Sequence, residues 1–371
     1  MPRTLRVGFD ATPLLGTPTG IGTFTAGALD ALSARDDLEL HAYGLTLRGA
    51  RNLAPLLPAG VRTSRRPMAA RPLRRLWTRF DLPPIEHWTG AIDVVHGTNF
   101  VVPPTRRAAS LVTIHDLTCV RFPEMCTPDT LEYPALVRRA LRRGAHVHAV
   151  SQFVADEIVE LLGADPNRVH VVHHGLPDVL GGDPDRGRRM VGAKRYVLAL
   201  GTVEPRKDLV ALVKAFHQIA GADPDVHLAI VGPDGWGGEA LTAAISSSAH
   251  RSRIRRLGWV GDADRAALLA GATIFAYPSR YEGFGFPPIE AMSVGVPVVT
   301  TPVGALPEVL GDAALFAAPG SVDDLGESLR RLLDDEELRG SLIERGRRRC
   351  AEYRWEACAA GLAAVYRDLA G

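Results

Sequence analysis

Two glutamates, Glu282 and Glu290, stand with seven residues between them, and the intervening stretch contains Gly283-Phe284-Gly285 followed by Phe286-Pro287-Pro288. Carboxylates accept hydrogen bonds from hydroxyls, and glycine amides can approach an anion closely because no side chain stands in the way. A polyhydroxylated, anionic ligand suits that combination. The apolar run Ala272 to Ala276 in front predicts a buried strand, and the paired prolines behind it predict a helix start. Glu282 to Gly285 then form a strand-to-helix loop, at the end of a parallel strand where open α/β sheets bind ligands. Taken alone, the same residues would also serve as an ordinary turn followed by exposed helix-start charges.

Three further loops carry chemistry. Gly201-Thr202-Val203-Glu204-Pro205-Arg206-Lys207 follows the strand pattern Arg195 to Leu200 and precedes a helical pattern from Leu209 to Ile219. Arg206 and Lys207 offer a bidentate donor beside a point charge, which is the pairing a diphosphate requires; cations are disfavoured at a helix start, so an anion between them and the helix accounts for them. His115-Asp116 closes the run Ser110 to Ile114, where a histidine can meet a sugar hydroxyl or Asp116 can simply cap a helix. Gly20 and Gly22 follow the first strand pattern, Leu5 to Asp10, but Thr25 occupies the third glycine position of a dinucleotide fingerprint, so a nicotinamide site is not expected.

The whole string from Glu282 to Met292 closely resembles the E-x7-E signature of glycosyltransferase family 4, the retaining transferases of the two-domain GT-B type. That resemblance implies two doubly wound, Rossmann-like α/β domains facing a central cleft. It also implies a nucleotide-sugar donor as co-substrate and no metal or other cofactor. Gly20 and Gly22 would line the cleft near the donor phosphates and the acceptor, although Thr23 stands where relatives often carry arginine. His115 would contact the transferred sugar near its 6-position, with Asp116 on the acceptor side. Arg206 and Lys207, in the loop opened by Gly201 and Thr202, would hold the diphosphate. Trp259 and Val260 would flank the base, Glu290 would bind the ribose, and Glu282 with Gly283, Phe284 and Gly285 would hold the sugar and its phosphate. Many similar chains use GDP-mannose, which is the first expectation for the donor. A glycoside phosphorylase, a nucleotide-sugar hydrolase or epimerase, and a silent nucleotide-sugar-binding subunit are the competing readings.

The elements that must position these residues read as two series of strands alternating with helices. A polar, breaker-rich stretch from Gly175 to Lys194 divides them into domains over 1–178 and 179–352. The resemblance implies that the first binds the acceptor and the second the nucleotide sugar, and that a last helix in 353–371 crosses back onto the first domain. The 371 residues suit two cores, and Lys plus Arg exceed Asp plus Glu by only one, 43 against 42, so no global field invites nucleic acid. Four cysteines without ligand spacing, and a start without the marks of a secretory leader, lead to the expectation of a reduced cytoplasmic protein. The strings Asp183 to Asp185, Asp223 to Asp225 and Asp262 to Asp264 sit in turn or cap contexts, so no metal site is expected there. Arg65 to Phe80 combines six arginines, Arg65, Arg66, Arg71, Arg74, Arg75 and Arg79, with Leu73, Leu76, Trp77 and Phe80 at helical spacing. Two readings fit: a helix packed on the domain with solvated arginines, or a peripheral contact with the inner face of an anionic membrane or a lipid-linked acceptor.

Overall fold

The computed structural model describes residues 3–16, 19–47, 50–64, 66–177 and 181–371. The chain divides into two compact units, Met1–Gly175 with Tyr353–Gly371, and Leu176–Glu352. The 178/179 boundary expected from the sequence, like Arg65, lies outside the described residues.

The first unit contains a parallel sheet of seven strands: β1 (Leu5–Asp10), β2 (Leu38–Tyr43), β3 (Arg62–Thr63), β4 (Val94–Gly97), β5 (Ala109–Ile114), β6 (His146–Ala149) and β7 (Val169–Val171). Their spatial order is β3-β2-β1-β4-β5-β6-β7, so the chain reverses its direction of winding between β1 and β4. Val7, Phe9, Val94, Val95, Leu111 and Val112 are wholly buried, as strands covered on both faces require. Helix α1 (Gly20–Ser33) follows β1 and buries Phe24, Ala28, Leu29 and Leu32. Gly20 and Gly22 lie in its first turn rather than in a turn before it, because the Thr19 side chain accepts from the Gly22 amide and caps the helix there.

Helix α2 (Ala70–Arg79) divides the two readings of the basic stretch. Trp77 is buried and its Nε1 donates to the Pro83 carbonyl, whereas Leu76 and Phe80 are exposed beside Arg75 and Arg79. Ser151 caps α3 (Gln152–Leu162) by accepting from the Val154 amide.

The second unit repeats the plan with β8 (Arg195–Leu200), β9 (Val226–Val231), β10 (Ile254–Gly258), β11 (Ile274–Tyr277), β12 (Val298–Thr300) and β13 (Ala314–Phe316), in the parallel order β10-β9-β8-β11-β12-β13. Its switch point is between β8 and β11. Helices α4 (Leu209–Ala222) and α5 (Phe286–Ser293) follow β8 and β11; α4 presses Leu212, Ala215, Phe216 and Ile219 against the sheet core. The last helix, α6 (Trp355–Ala370), belongs to the first unit. Its first residue, Trp355, rests on Gly27 and Gly175; a Cβ at Gly27 would come within 2.2 Å of the indole, so only glycine permits this docking.

The short edge strands β3 and β13 were not expected from the sequence, because two or three residues carry too little periodicity to register. No described helix is long and apolar enough to cross a membrane.

Candidate active site

Ligands of doubly wound sheets bind outside the carboxyl ends of the strands where the winding reverses. In the second unit, that position lies between the ends of β8 and β11, and four charged side chains meet there. Lys207 Nζ is 2.6 Å from Glu282 Oε1 and 2.5 Å from the Tyr277 hydroxyl. Arg206 reaches the other Glu282 oxygen at 2.8 Å, Glu204 at 2.6 Å and the Tyr281 carbonyl at 2.8 Å. Two cations therefore face two carboxylates, and the cluster is neutral.

Local sequence explains how these residues are presented. Pro205 starts a single 3-10 turn over Pro205–Lys207, and Asp208 at φ +46° then turns the chain into α4. Asp208 is held by Arg280, whose amide donates to the Arg206 carbonyl, so the loops after β8 and β11 are bonded to each other. Glu282 is only 6% exposed, and its carbonyl accepts from the Ala305 amide at 2.9 Å. A Cβ at Gly304, where φ is +59°, would fall 2.1 Å from that carbonyl.

Burial pushes the Glu282 carboxyl upward, but Arg206 and Lys207 outweigh it and bring the pKa down to about 2. Burial and the Arg206 charge lower the Lys207 pKa, against the pull of Glu282. The carboxylate thus holds two desolvated cations in place before any ligand arrives. Such preorganised charge is what a departing phosphate oxygen requires.

The remaining expected residues of this unit take separate places. Gly201 follows β8 at φ +147°, where a Cβ would lie 3.5 Å from the Lys207 stem, with Thr202 next to it. Gly283 lies in the buried bend before α5, Phe284 packs edge-on to Phe286, and Gly285 at φ +97° precedes the first turn. Glu290 is one turn into α5 and buried, where Arg265 pairs with it; burial raises its pKa and Arg265 opposes the rise. Trp259 and Val260 follow β10, with the indole 57% exposed. The structure therefore joins Arg206, Lys207 and Glu282 directly, and places Glu290 in a pair of its own.

In the first unit, His115 and Asp116 follow β5. His115 Nε2 donates to the Thr98 carbonyl at 2.8 Å, so the neutral ring presents Nδ1 as an acceptor. Burial brings its pKa down to about 4, which keeps it neutral. Asp116 accepts from the Thr118 amide at 2.9 Å, a side-chain turn just ahead of the short helix Thr118–Arg121, whose N-cap position is Leu117. Gly20 and Gly22 open α1, and a Cβ at Gly22 would press on the Pro13 carbonyl at 3.1 Å.

Sequence reasoning did not single out Tyr277, Gly304 or Arg265 as site residues. None has a local signal, since each acts on a residue distant in sequence. Among the described residues no three His, Cys, Asp or Glu side chains form a metal-holding group. The Asp-x-Asp strings serve as caps and pairs: Asp183 and Asp223 accept from amides two residues on, and Asp264 pairs with Arg186.

Comparison with known proteins places these observations in a family. Residues 186–349 match the family model described as glycosyl transferases group 1, and residues 18–178 match that of glycosyltransferase family 4. The O-antigen chain mannosyltransferase B of Escherichia coli is 32% identical over 274 residues, covering 71% of this chain and 71% of that protein. The MMP alpha-(1->4)-mannosyltransferase of Mycolicibacterium hassiacum is 34% identical over 242 residues, covering 62% of this chain and 55% of that one. The solved Anabaena protein HepE, in complex with UDP and glucose, overlays with a TM-score of 0.75 at 19% identity over 98% of this chain and 100% of its own. The two family matches, a relative of this similarity over so much of both chains, and the paired parallel sheets agree: the chain belongs to glycosyltransferase family 4 and is a glycosyltransferase of GT-B fold.

Proposed function

We propose that the chain transfers a hexose from a nucleotide diphosphate sugar, GDP-mannose in the first instance, to a hydroxyl of a glycan, a lipid-linked or a small-molecule acceptor. The anomeric configuration is retained and no metal takes part. The observation that carries this reading is the buried Arg206, Lys207 and Glu282 cluster at the β8/β11 switch point. Two relatives named as mannosyltransferases support mannose; the UDP in HepE leaves uridine diphosphate sugars as the alternative donor class.

In this mechanism the donor's diphosphate enters beside Arg206 and Lys207, near the amides around Phe284 and Gly285. Its charges take over part of the pairing that Glu282 provides, and the carboxylate is released to accept sugar hydroxyls. As the bond to the sugar breaks, charge grows on the leaving oxygen, and two fixed cations stabilise it. One such donor is typically worth roughly a hundred- to a thousandfold in rate. The leaving phosphate itself assists deprotonation of the acceptor, so no enzymic nucleophile is assigned. Glu290 takes the ribose in exchange for Arg265, and Trp259 with Val260 borders the base. His115 accepts from the transferred sugar through Nδ1, with Asp116 on the acceptor side. The unit 1–175 with 353–371 serves the acceptor, and the unit 176–352 serves the donor.

A thermal-shift screen of nucleotide sugars, followed by product analysis with a chelator present, tests this. A donor at a hundred times its Kd should add about 2.7 kcal/mol of stability. Stabilisation by no nucleotide sugar, or activity lost on chelation, would sink the reading. Product analysis without an acceptor separates a transferase from a hydrolase, an epimerase or a silent subunit. The exposed Leu76 and Phe80 beside Arg75 and Arg79 support a peripheral contact with anionic lipid on the cytoplasmic side. Sedimentation with anionic vesicles that is unchanged by charge reversal at Arg74 and Arg75 would remove that contact.

A further inference from the structure

The first sheet's own switch point, between β1 and β4, holds polar groups whose bonding capacity no described residue fills. Asp10 ends β1 and is 2% exposed. One of its oxygens accepts from the Thr12 amide at 2.9 Å and from the Thr12 hydroxyl, which itself accepts from the Leu45 amide at 2.7 Å. The other oxygen, Oδ2, makes no hydrogen bond among the described residues. Asp10 is the register partner of Tyr43 on the parallel neighbour β2, so the two side chains leave the sheet on the same face. The Tyr43 hydroxyl is buried and likewise has no partner among the described residues. The phenol is the longer of the two side chains, so a small group can sit between its hydroxyl and the carboxylate. The loop after β4 closes on this strand end, with Thr98 Oγ1 donating to the Asp10 carbonyl at 2.8 Å, and it carries Phe100 in a left-handed conformation at φ +58°.

Buried groups of this kind are ordinarily satisfied, by protein, water or ligand. The two free valences define what fits. The carboxylate can only accept, and the phenol is held in its protonated, donating form first by burial and then by the Asp10 charge. A hydroxyl donates to the first while accepting from the second. An ammonium would leave the phenol unmet, and a phosphate or carboxylate would be repelled by Asp10.

We infer that Asp10 and Tyr43 form a subsite for one uncharged hydroxyl of the sugar acceptor, with Asp10 Oδ2 accepting from it and Tyr43 donating to it. The inference rests on the transfer reading and narrows it. The part of the acceptor bound at this strand end is a neutral carbohydrate rather than a phosphate-bearing group.

Ligand-observed saturation-transfer NMR on the full chain at neutral pH tests this, with methyl α-D-mannopyranoside as the neutral probe and mannose 6-phosphate as its charged counterpart. The neutral probe should bind and the phosphorylated one should bind at least tenfold more weakly. A hydrogen bond to a charged group sets the scale for Asp10→Asn, roughly a tenfold or greater loss; Tyr43→Phe should lose several-fold. Lys207→Ala should leave probe binding unchanged. Tyr43→Phe keeps the side-chain volume and decides the matter alone if Asp10→Asn fails to fold. Absence of neutral-probe binding, binding unaltered in both variants, as a bridging water would give, or preference for the phosphorylated sugar would each overturn the subsite. Probe binding without any nucleotide release from GDP-mannose or UDP-glucose would instead sink the transfer reading and leave the subsite standing.

Discussion

The two halves of the chain are built on one template, and they stabilise its carboxyl edge by opposite means. In the first, buried histidines are joined by neutral hydrogen bonds. His148 Nε2 lies 2.8 Å from the Val172 carbonyl, which only accepts, so Nε2 carries the proton and Nδ1 is an acceptor. Thr113 Oγ1 must then donate to that Nδ1 at 2.9 Å. His96 Nε2 is left to donate to Thr113 at 2.7 Å, and Tyr366 to donate to His96 Nδ1 at 2.6 Å. One carbonyl thereby fixes every proton from β7 back to the last helix. In the second half the equivalent edge holds full charges, paired as Arg206 and Lys207 against Glu204 and Glu282. An edge without buried cations suits ligands that offer hydroxyls, and one that holds two of them suits a diphosphate. A shared topology therefore leaves the chemistry to the few residues at the strand ends.

The comparison breaks most visibly at Lys207. Lys207→Ala should lower transfer by about a thousandfold, since in the proposed reaction it removes a cation that faces the leaving group. The residue is buried against Glu282, so folding does not escape: loss of one partner of a buried pair costs up to about 3–5 kcal/mol, softened here because Arg206 remains. Turnover assayed well below the variant's Tm separates the two effects, and wild-type turnover there would refute the assigned role.

Glu282→Gln sharpens the same contrast from the other side. It leaves two buried cations facing one carboxylate, and the free protein should melt several degrees lower. A nucleoside diphosphate should restore more of that loss than it adds to the wild-type chain, because its charges replace the missing carboxylate. Equal shifts in the two proteins would mean that the diphosphate does not enter this cluster.

Acid should separate the halves. Burial lowers the pKa of His115 to about 4, that of His148 to about 3, and those of His96 and His174 well below the ordinary histidine value of 6.5. Their contribution is complete above pH 6.5 and is lost progressively as pH falls toward the folded values, because only the unfolded chain binds those protons. The slope is at most about 1.4 kcal/mol per pH unit for each group. Asp10 has the opposite sign: burial raises its pKa to about 6, so between 3.8 and 6 the folded state holds the extra proton and offsets roughly one histidine. The Glu282 contribution survives until pH drops below 4.5, on the way to its folded value of about 2. His227 and His250 shift as the buried histidines do, but they are less buried and count for less. Hydrogen exchange by mass spectrometry, corrected for intrinsic rates, should show β4 to β6 losing protection between pH 6.5 and 5 while β8 and β11 keep theirs. Simultaneous loss would contradict the asymmetry.

Legibility in the sequence differed between the halves for the same physical reason. The central strands β1 and β8 could be read to the residue, since short, largely apolar runs bounded by turns are what a sheet covered on both faces requires. The Arg206–Lys207 loop could be read because two cations have no ordinary place at a helix start, and the Glu282 loop because its whole string, rather than any one charge, carries the resemblance. Their union could not be read: 75 residues separate Lys207 from Glu282, and Gly304, which lets the backbone approach Glu282, looks like any turn glycine. Glu290 could be placed about one turn into the helix that the prolines start, but its partner Arg265, 25 residues earlier in the chain, could not. The neutral chain was the least visible. His146 to Val150 is a short apolar run at sheet-like spacing, and nothing local says that His148 meets Thr113.

The smallest expected effect tests that chain at its far end. Tyr366 is wholly buried on α6, and its hydroxyl is the one donor that meets His96 Nδ1 among the described residues. Tyr366→Phe keeps the ring and removes this donor, leaving a buried acceptor unmet at a cost of about 1–3 kcal/mol. Because His96 Nε2 still donates to Thr113, the His148 tautomer should persist, held independently by the Val172 carbonyl. Nitrogen-15 shifts of the imidazoles would show His148 unchanged and His96 altered, with a drop of a few degrees in Tm. If His148 changed tautomer as well, the protons would be fixed from the helix inward rather than from the carbonyl outward, and the derived order of the chain would be reversed.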